Sequence, residues 1–186
     1  MNQQQVVILV GAVVVIAAVA IAIFLAQRKR RSQRLRGRFG PEYDRVIKEE
    51  GNISRGEEVL EFRASRRDKL QIHALTPSLR AEFAERWRTV QAQFVDDPKS
   101  AVGRADQLVN EVMHARGYPM EEFDQQASLV SVDHPVVVNN YRSAHSIAAR
   151  HNRGQASTED LRQAMVHYRS LFDELLEEPT ARRKEA

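Results

Sequence analysis

Glu111 and His114 stand three residues apart, the Glu-x-x-His spacing found in the half-sites of di-iron helical bundles. A working site of that kind needs a second copy and two more inward carboxylates. This chain holds one copy. Both side chains also fall more than about 120° from the middle of their helix's apolar stripe, on its solvent side. His145 and His151 are six residues apart, about 120° around a helix, too far round to share one ion directly. A second constellation with chemical capacity is a His, Asp and Tyr group drawn from Asp133, His134, Tyr141, His145 and Tyr168. Spacing leaves open whether these five converge in a pocket or disperse. Trp87, the single tryptophan, sits among apolar residues of its stripe and reads as a packing anchor. Asp96-Asp97-Pro98 reads as a helix start before it reads as an acid pair. There is no phosphate-binding Gly loop, no Gly-x-Ser-x-Gly, no His-Glu-x-x-His and no Cys. The expectation is no catalytic residue, no cofactor and no metal. Small-molecule or metal-dependent activity in a pocket between the C-terminal helices is the alternative.

The elements that position these residues are helices. Pro41 opens a short one with Tyr43, Val46 and Ile47 inward, ended by Gly51, and Ser54 with Glu57 resembles a capping box for a helix running to about Arg67. Leu70, Ile72 and Ala74 alternate along a connector. Thr76-Pro77 then caps a helix whose stripe is Leu79, Phe83, Trp87, Val90 and Phe94. Asp97-Pro98 starts the next, with Val102, Ala105, Leu108, Val109 and Val112 inward and Gly117 as the stop. Phe123, Ala127 and Val130 mark a short helix. Pro135 begins another, capped by Asp133 or His134, with Val137, Tyr141, Ala144 and Ala148 inward. Ser157 and the acids after it start the last helix, whose stripe is Leu161, Ala164, Met165, Tyr168, Leu171, Phe172 and Leu175.

The N-terminal end has a different character. Twenty of the 21 residues over 6–26 are apolar, and a helix of that length spans about 30 Å, the thickness of a bilayer's hydrocarbon core. Arg28, Lys29, Arg30, Arg31, Arg34, Arg36 and Arg38 follow, with no acid among them. That flank, together with an N-terminal MNQQQ free of charged side chains, differs from the layout of a cleaved signal peptide. Basic residues beside a span stay on the cytoplasmic side, which places the N-terminus outside and residues 27–186 inside. Those seven account for more than the whole net charge of +3: beyond residue 38, 21 Lys and Arg face 25 Asp and Glu. Anionic headgroups are the natural partner of such a flank, and no specific nucleic acid is expected. Gly11, Ala18, Ala22 and Ala26 also offer a small-residue face for self-association of the span.

Four segments resemble an uncharacterised family of bacterial membrane and secreted proteins: RFGPEYDR (38–45), RWRTVQAQFVDDP (86–98), ARGYPMEEFDQQASLVSVDHP (115–135) and STEDLRQAMVHYRSLFDELL (157–176). The resemblance implies a bacterial inner-membrane protein and brings no activity, cofactor or catalytic residue with it.

The fold expected is therefore all-α, a single N-terminal transmembrane helix followed by a compact antiparallel helical bundle. Its parts are a tail at 1–5, the span at 6–26, a basic juxtamembrane stem at 27–40, short helices and a connector at 41–75, the bundle at 76–178 and a disordered tail at 179–186. The expected function is a membrane-anchored interaction or scaffold module at the cytoplasmic face. Its partner is an unknown protein or a second copy, and the polar stretch 133–141 is the candidate partner surface.

Overall fold

A computed structural model of the chain describes residues 3–177, the side chains of 3–10 and 12–14 excepted. Residues 1–2 of the expected 1–5 tail, and the expected 179–186 tail, lie outside the described residues. Regular structure among the described residues is entirely helical: α1 (Gln3–Phe39), α2 (Pro41–Glu50), α3 (Ile53–Asp68), α4 (Pro77–Asp96), α5 (Pro98–Ala115), α6 (Phe123–Asp133), α7 (Val138–Asn152) and α8 (Thr158–Leu176). Among the described residues no helix is long and apolar enough to cross a membrane. Of the predicted span at 6–26, the side chains of 6–10 and 12–14 lie outside the description.

The bundle helices begin where their caps dictate. Thr76 Oγ1 accepts from the Leu79 amide at 3.3 Å, and the Asp97 carboxylate accepts from the Ser100 amide at 3.1 Å. Each leaves a proline at the first helical position, where its missing N–H costs nothing. Ser157 and Asp160 form a reciprocal capping box at the head of α8. Short connections fold α4 onto α5 and α7 onto α8, and α8 also packs along α5. The predicted stripes meet in one core that includes Phe83, Trp87, Val109, Val112, Tyr141, Ala144, Tyr168 and Phe172.

Two starts differ from expectation. Asn52, not Ser54, caps α3: its side-chain oxygen accepts from the Ser54 and Arg55 amides at 2.8 and 3.2 Å. Asn52 holds the extended backbone that an N-cap requires, two residues earlier, which frees Glu57 to turn inward. Likewise α7 begins at Val138, after a turn over 135–137. Asp133 ends α6 and His134 is its C-cap, with the His134 amide bonded to the Val130 carbonyl at 2.8 Å. The chain stays coiled through Pro135, so neither residue serves α7 as an N-cap.

A second, smaller core explains the N-terminal third. Leu35 and Phe39, four residues apart on one face of α1, bury against Tyr43 and Val46 of α2, Leu60 and Ala64 of α3 and Val132 of α6. The last turns of α1, around Leu35 and Phe39, are thus packed into the fold. α2 and α3 come close because Gly56 has no side chain: a Cβ there would meet the Ile47 Cδ1 at 2.5 Å.

Gly117 closes α5 with φ 97°, and a Cβ on it would lie 2.5 Å from the Gln71 carbonyl oxygen. The connector is held against this turn, since the His73 amide donates to the Arg116 carbonyl at 3.0 Å. Gly117→Ala therefore combines a left-handed backbone with a backbone clash. A loss of about 1–3 kcal/mol is expected, read as a lowered thermal midpoint. An unchanged midpoint would show that the connector does not depend on this turn.

Candidate functional site

The five residues Asp133, His134, Tyr141, His145 and Tyr168 do not share one pocket. Asp133 accepts from Arg67 Nε at 2.7 Å and from the Tyr118 hydroxyl at 2.6 Å. His134 Nδ1 lies 2.9 Å from the Glu174 carboxylate. The Tyr141 hydroxyl, with one proton to give, lies 3.1 Å from Gln126 Oε1 and 3.3 Å from Asn110 Oδ1, and that of Tyr168 donates to Asp106 at 2.8 Å. His145 instead stacks on Phe123, with ring centroids 3.6 Å apart. Tyr141 and Tyr168 are near neighbours of the same Asp106, so these two are brought together. The rest go to separate partners.

Burial is the larger surprise. Tyr141 and Tyr168 are about as enclosed as any side chain of the core, and His134 is 7% exposed. Along the stretch 133–141, His134, Val137, Val138 and Tyr141 are buried and only Val136 and Asn139 are exposed, so little of the predicted partner surface is open. A polar residue enclosed in a bundle needs an internal partner, and each of these found one. Burial first, and then the nearby Asp106 or Asp133 carboxylate, pushes the hydroxyls of Tyr118, Tyr141 and Tyr168 above the ordinary tyrosine range. They are held as protonated donors, the opposite of an activated nucleophile.

Glu111 and His114 have no metal partner set. Arg86 and the Gln107 amide nitrogen bond the Glu111 carboxylate, and His114 is exposed. Among the described residues no group of three or more His, Cys, Asp or Glu is placed to hold a metal ion.

The most concentrated electrostatics lie around Glu42, outside the predicted His, Asp and Tyr group. Glu42, 0% exposed, receives both oxygens' worth of bonds from three arginines on three helices. Arg45 of α2 donates at 2.7 and 2.9 Å, Arg142 of α7 at 2.8 and 2.9 Å, and Arg63 of α3 at 3.0 Å. Burial alone would raise this carboxyl, but hydrogen bonds from Arg45 and Arg142, with their charges, outweigh it and hold the pKa at about 2. An acid so ionised, with its lone pairs taken, is a clamp and a poor proton acceptor. The signal for it was available: Glu42 lies about 40° from Val46 around the helix, on the inner face.

Glu57 is the second enclosed acid, bonded by the hydroxyls of Ser32 and Tyr43. It belongs to a set that neutralises much of the basic flank. Arg31 pairs with Glu61 at 2.8 Å, Arg34 with Glu61 at 3.3 Å, Arg36 with Asp44 at 3.4 Å and Arg38 with Asp68 at 2.6 Å. Arg28, Lys29 and Arg30 are exposed and have no acid partner among the described residues. The flank thus begins with three residues that have no acid partner among the described residues, followed by four that pair with acids of α2 and α3, of which Arg34, Arg36 and Arg38 remain exposed.

Comparison with protein-family models, with curated proteins and with solved structures found no match for this chain.

Proposed function

We propose that the protein is a membrane-anchored helical interaction module at the cytoplasmic face of a bacterial inner membrane. The observation that carries this reading is the continuity of α1, a single helix over Gln3–Phe39 whose last turns are built into a core with α2, α3 and α6. At 1.5 Å per residue such a helix is about 55 Å long, enough for a bilayer's hydrocarbon core with about 25 Å to spare. The apolar run at 6–26 supplies the span, and Arg28, Lys29 and Arg30 supply the cytoplasmic flank. A helix that spans and then enters the fold holds the bundle at a set distance and angle, as a presenting module needs and a flexible tether does not provide. The resemblance of four segments to a bacterial membrane family supports the same placement. The module's partner is another protein or a second copy.

The chain has no cysteine, so Gln155→Cys, at an exposed position before α8, gives a single reporter. With a membrane-impermeant maleimide, protection in intact cells and labelling after lysis is the expected result. Labelling in intact cells overturns the orientation, and release of the chain by alkaline carbonate overturns the anchor. Crosslinking in isolated membranes should give species above the monomer mass; a monomer alone overturns the interaction role.

A further inference from the structure

An open cleft of about 540 Å³ lies between the polar end of α1 and the first turn of α3, lined by Phe24, Arg28, Arg30, Arg31, Arg34 and Ser54 among others. We infer that this cleft binds the phosphate of an anionic phospholipid headgroup; the inference rests on the membrane-anchored reading of α1. Four guanidiniums border it, and they fall into two kinds. Arg31 and Arg34 are paired with Glu61 of α3. Arg28 and Arg30 have no acid partner among the described residues and remain available to an incoming anion.

The one acid in the lining, Glu57, is already committed to the hydroxyls of Ser32 and Tyr43, with Arg31 Nε 3.5 Å away. The uncompensated charge of the cleft is therefore positive. A planar fork of donors suits phosphate oxygens better than a point charge does. Ser54 adds a hydroxyl at the positive end of α3. Depth selects a lipid over a free anion. Phe24 belongs to the apolar run and lies one turn, about 6 Å, above Arg28, so acyl chains and headgroup meet the helix in the order a phospholipid presents them. Lys29 is an internal control, because it is as exposed as its neighbours yet does not line the cleft.

The test uses the full chain in detergent micelles, titrated with phosphatidylglycerol or phosphatidylcholine and read by native mass spectrometry. The same preparations are floated with phosphatidylcholine vesicles. The expected result is flotation of every variant and preferential retention of phosphatidylglycerol. Retention should weaken about fivefold for Arg28→Gln and for Arg30→Gln, and less than twofold for Lys29→Gln. Equal retention of both lipids, or an equal loss for Lys29→Gln, overturns the site while leaving the anchor standing. Displacement of phosphatidylglycerol by millimolar inorganic phosphate makes a free anion the ligand and overturns the lipid assignment. A wild-type chain that fails to float overturns the anchor and this inference with it.

Discussion

Glu42→Gln is expected to lower the unfolding free energy by about 3–5 kcal/mol, among the largest effects of any single polar substitution in this chain. The carboxylate is fully enclosed, and the arginines around it are mostly so, with side-chain exposures of 28% for Arg45, 15% for Arg63 and 22% for Arg142. An amide in its place offers one acceptor where there were two and turns an NH₂ towards guanidinium donors. Three cations are then left sharing an uncharged neighbour. Arg142→Met should cost less, about 1.5–3 kcal/mol, because the carboxylate keeps Arg45 and Arg63. Both are measured by urea unfolding of the full chain in detergent, followed through Trp87 emission. Equal losses for the two variants would mean that the α2–α7 tie alone, and not the shared carboxylate, carries the energy.

The same group sets a pH dependence with a definite sign. Its folded pKa of about 2 lies below the ordinary glutamate value of 4.5. The stabilisation is therefore complete above pH 4.5 and is lost as the pH falls towards 2. A shift of that size corresponds to about 3 kcal/mol. The wild-type chain should show an acid limb in that window, and Glu42→Gln should lack Glu42's share of it. A limb of unchanged amplitude in the variant would assign the acid sensitivity to other carboxylates.

What could be read from the sequence was what neighbours in the chain decide. Thr76-Pro77, Asp97-Pro98 and Ser157 with Asp160 are local signals, and α4, α5 and α8 start where they stand. The inner stripes follow from helical period alone. Glu42 could not be read this way, because it is enclosed by Arg63 and Arg142, 21 and 100 residues further along. For the same reason the basic flank looked unpaired: Asp44, Glu57, Glu61 and Asp68 neutralise part of it only after α2 and α3 fold back on α1. The group around Asp133 and Tyr141 illustrates the limit of spacing. Period put Tyr141 and Tyr168 on inner faces, but the choice among Asp106, Asn110, Gln126 and Glu174 as partners is made by how whole helices pack.

Phe172→Ala is the second large expected effect, about 3–5 kcal/mol, or a fall of about 6–20 °C in the thermal midpoint. Phe172 of α8 stacks on Trp87 of α4 with ring centroids 4.6 Å apart and planes 18° from parallel. Both rings are buried, and α4 and α8 each pack on α5, so the stack fills the space between two helices that share a third. Deleting one ring opens a cavity that neighbouring Leu and Val side chains on fixed helices can collapse into only in part. Its wall would not be purely apolar, because Trp87 Nε1 is buried with no hydrogen-bond partner among the described residues. Water entering the cavity gains that donor, which places the cost towards the lower end of the range. The same water should shift Trp87 emission to the red in the folded state. Phe172→Leu keeps most of the volume and should cost less than about 1.5 kcal/mol with no red shift. Destabilisation by Phe172→Ala without a spectral change would mean that α4 and α8 close over the gap, and a red shift without destabilisation would mean that hydration compensates for the lost stack.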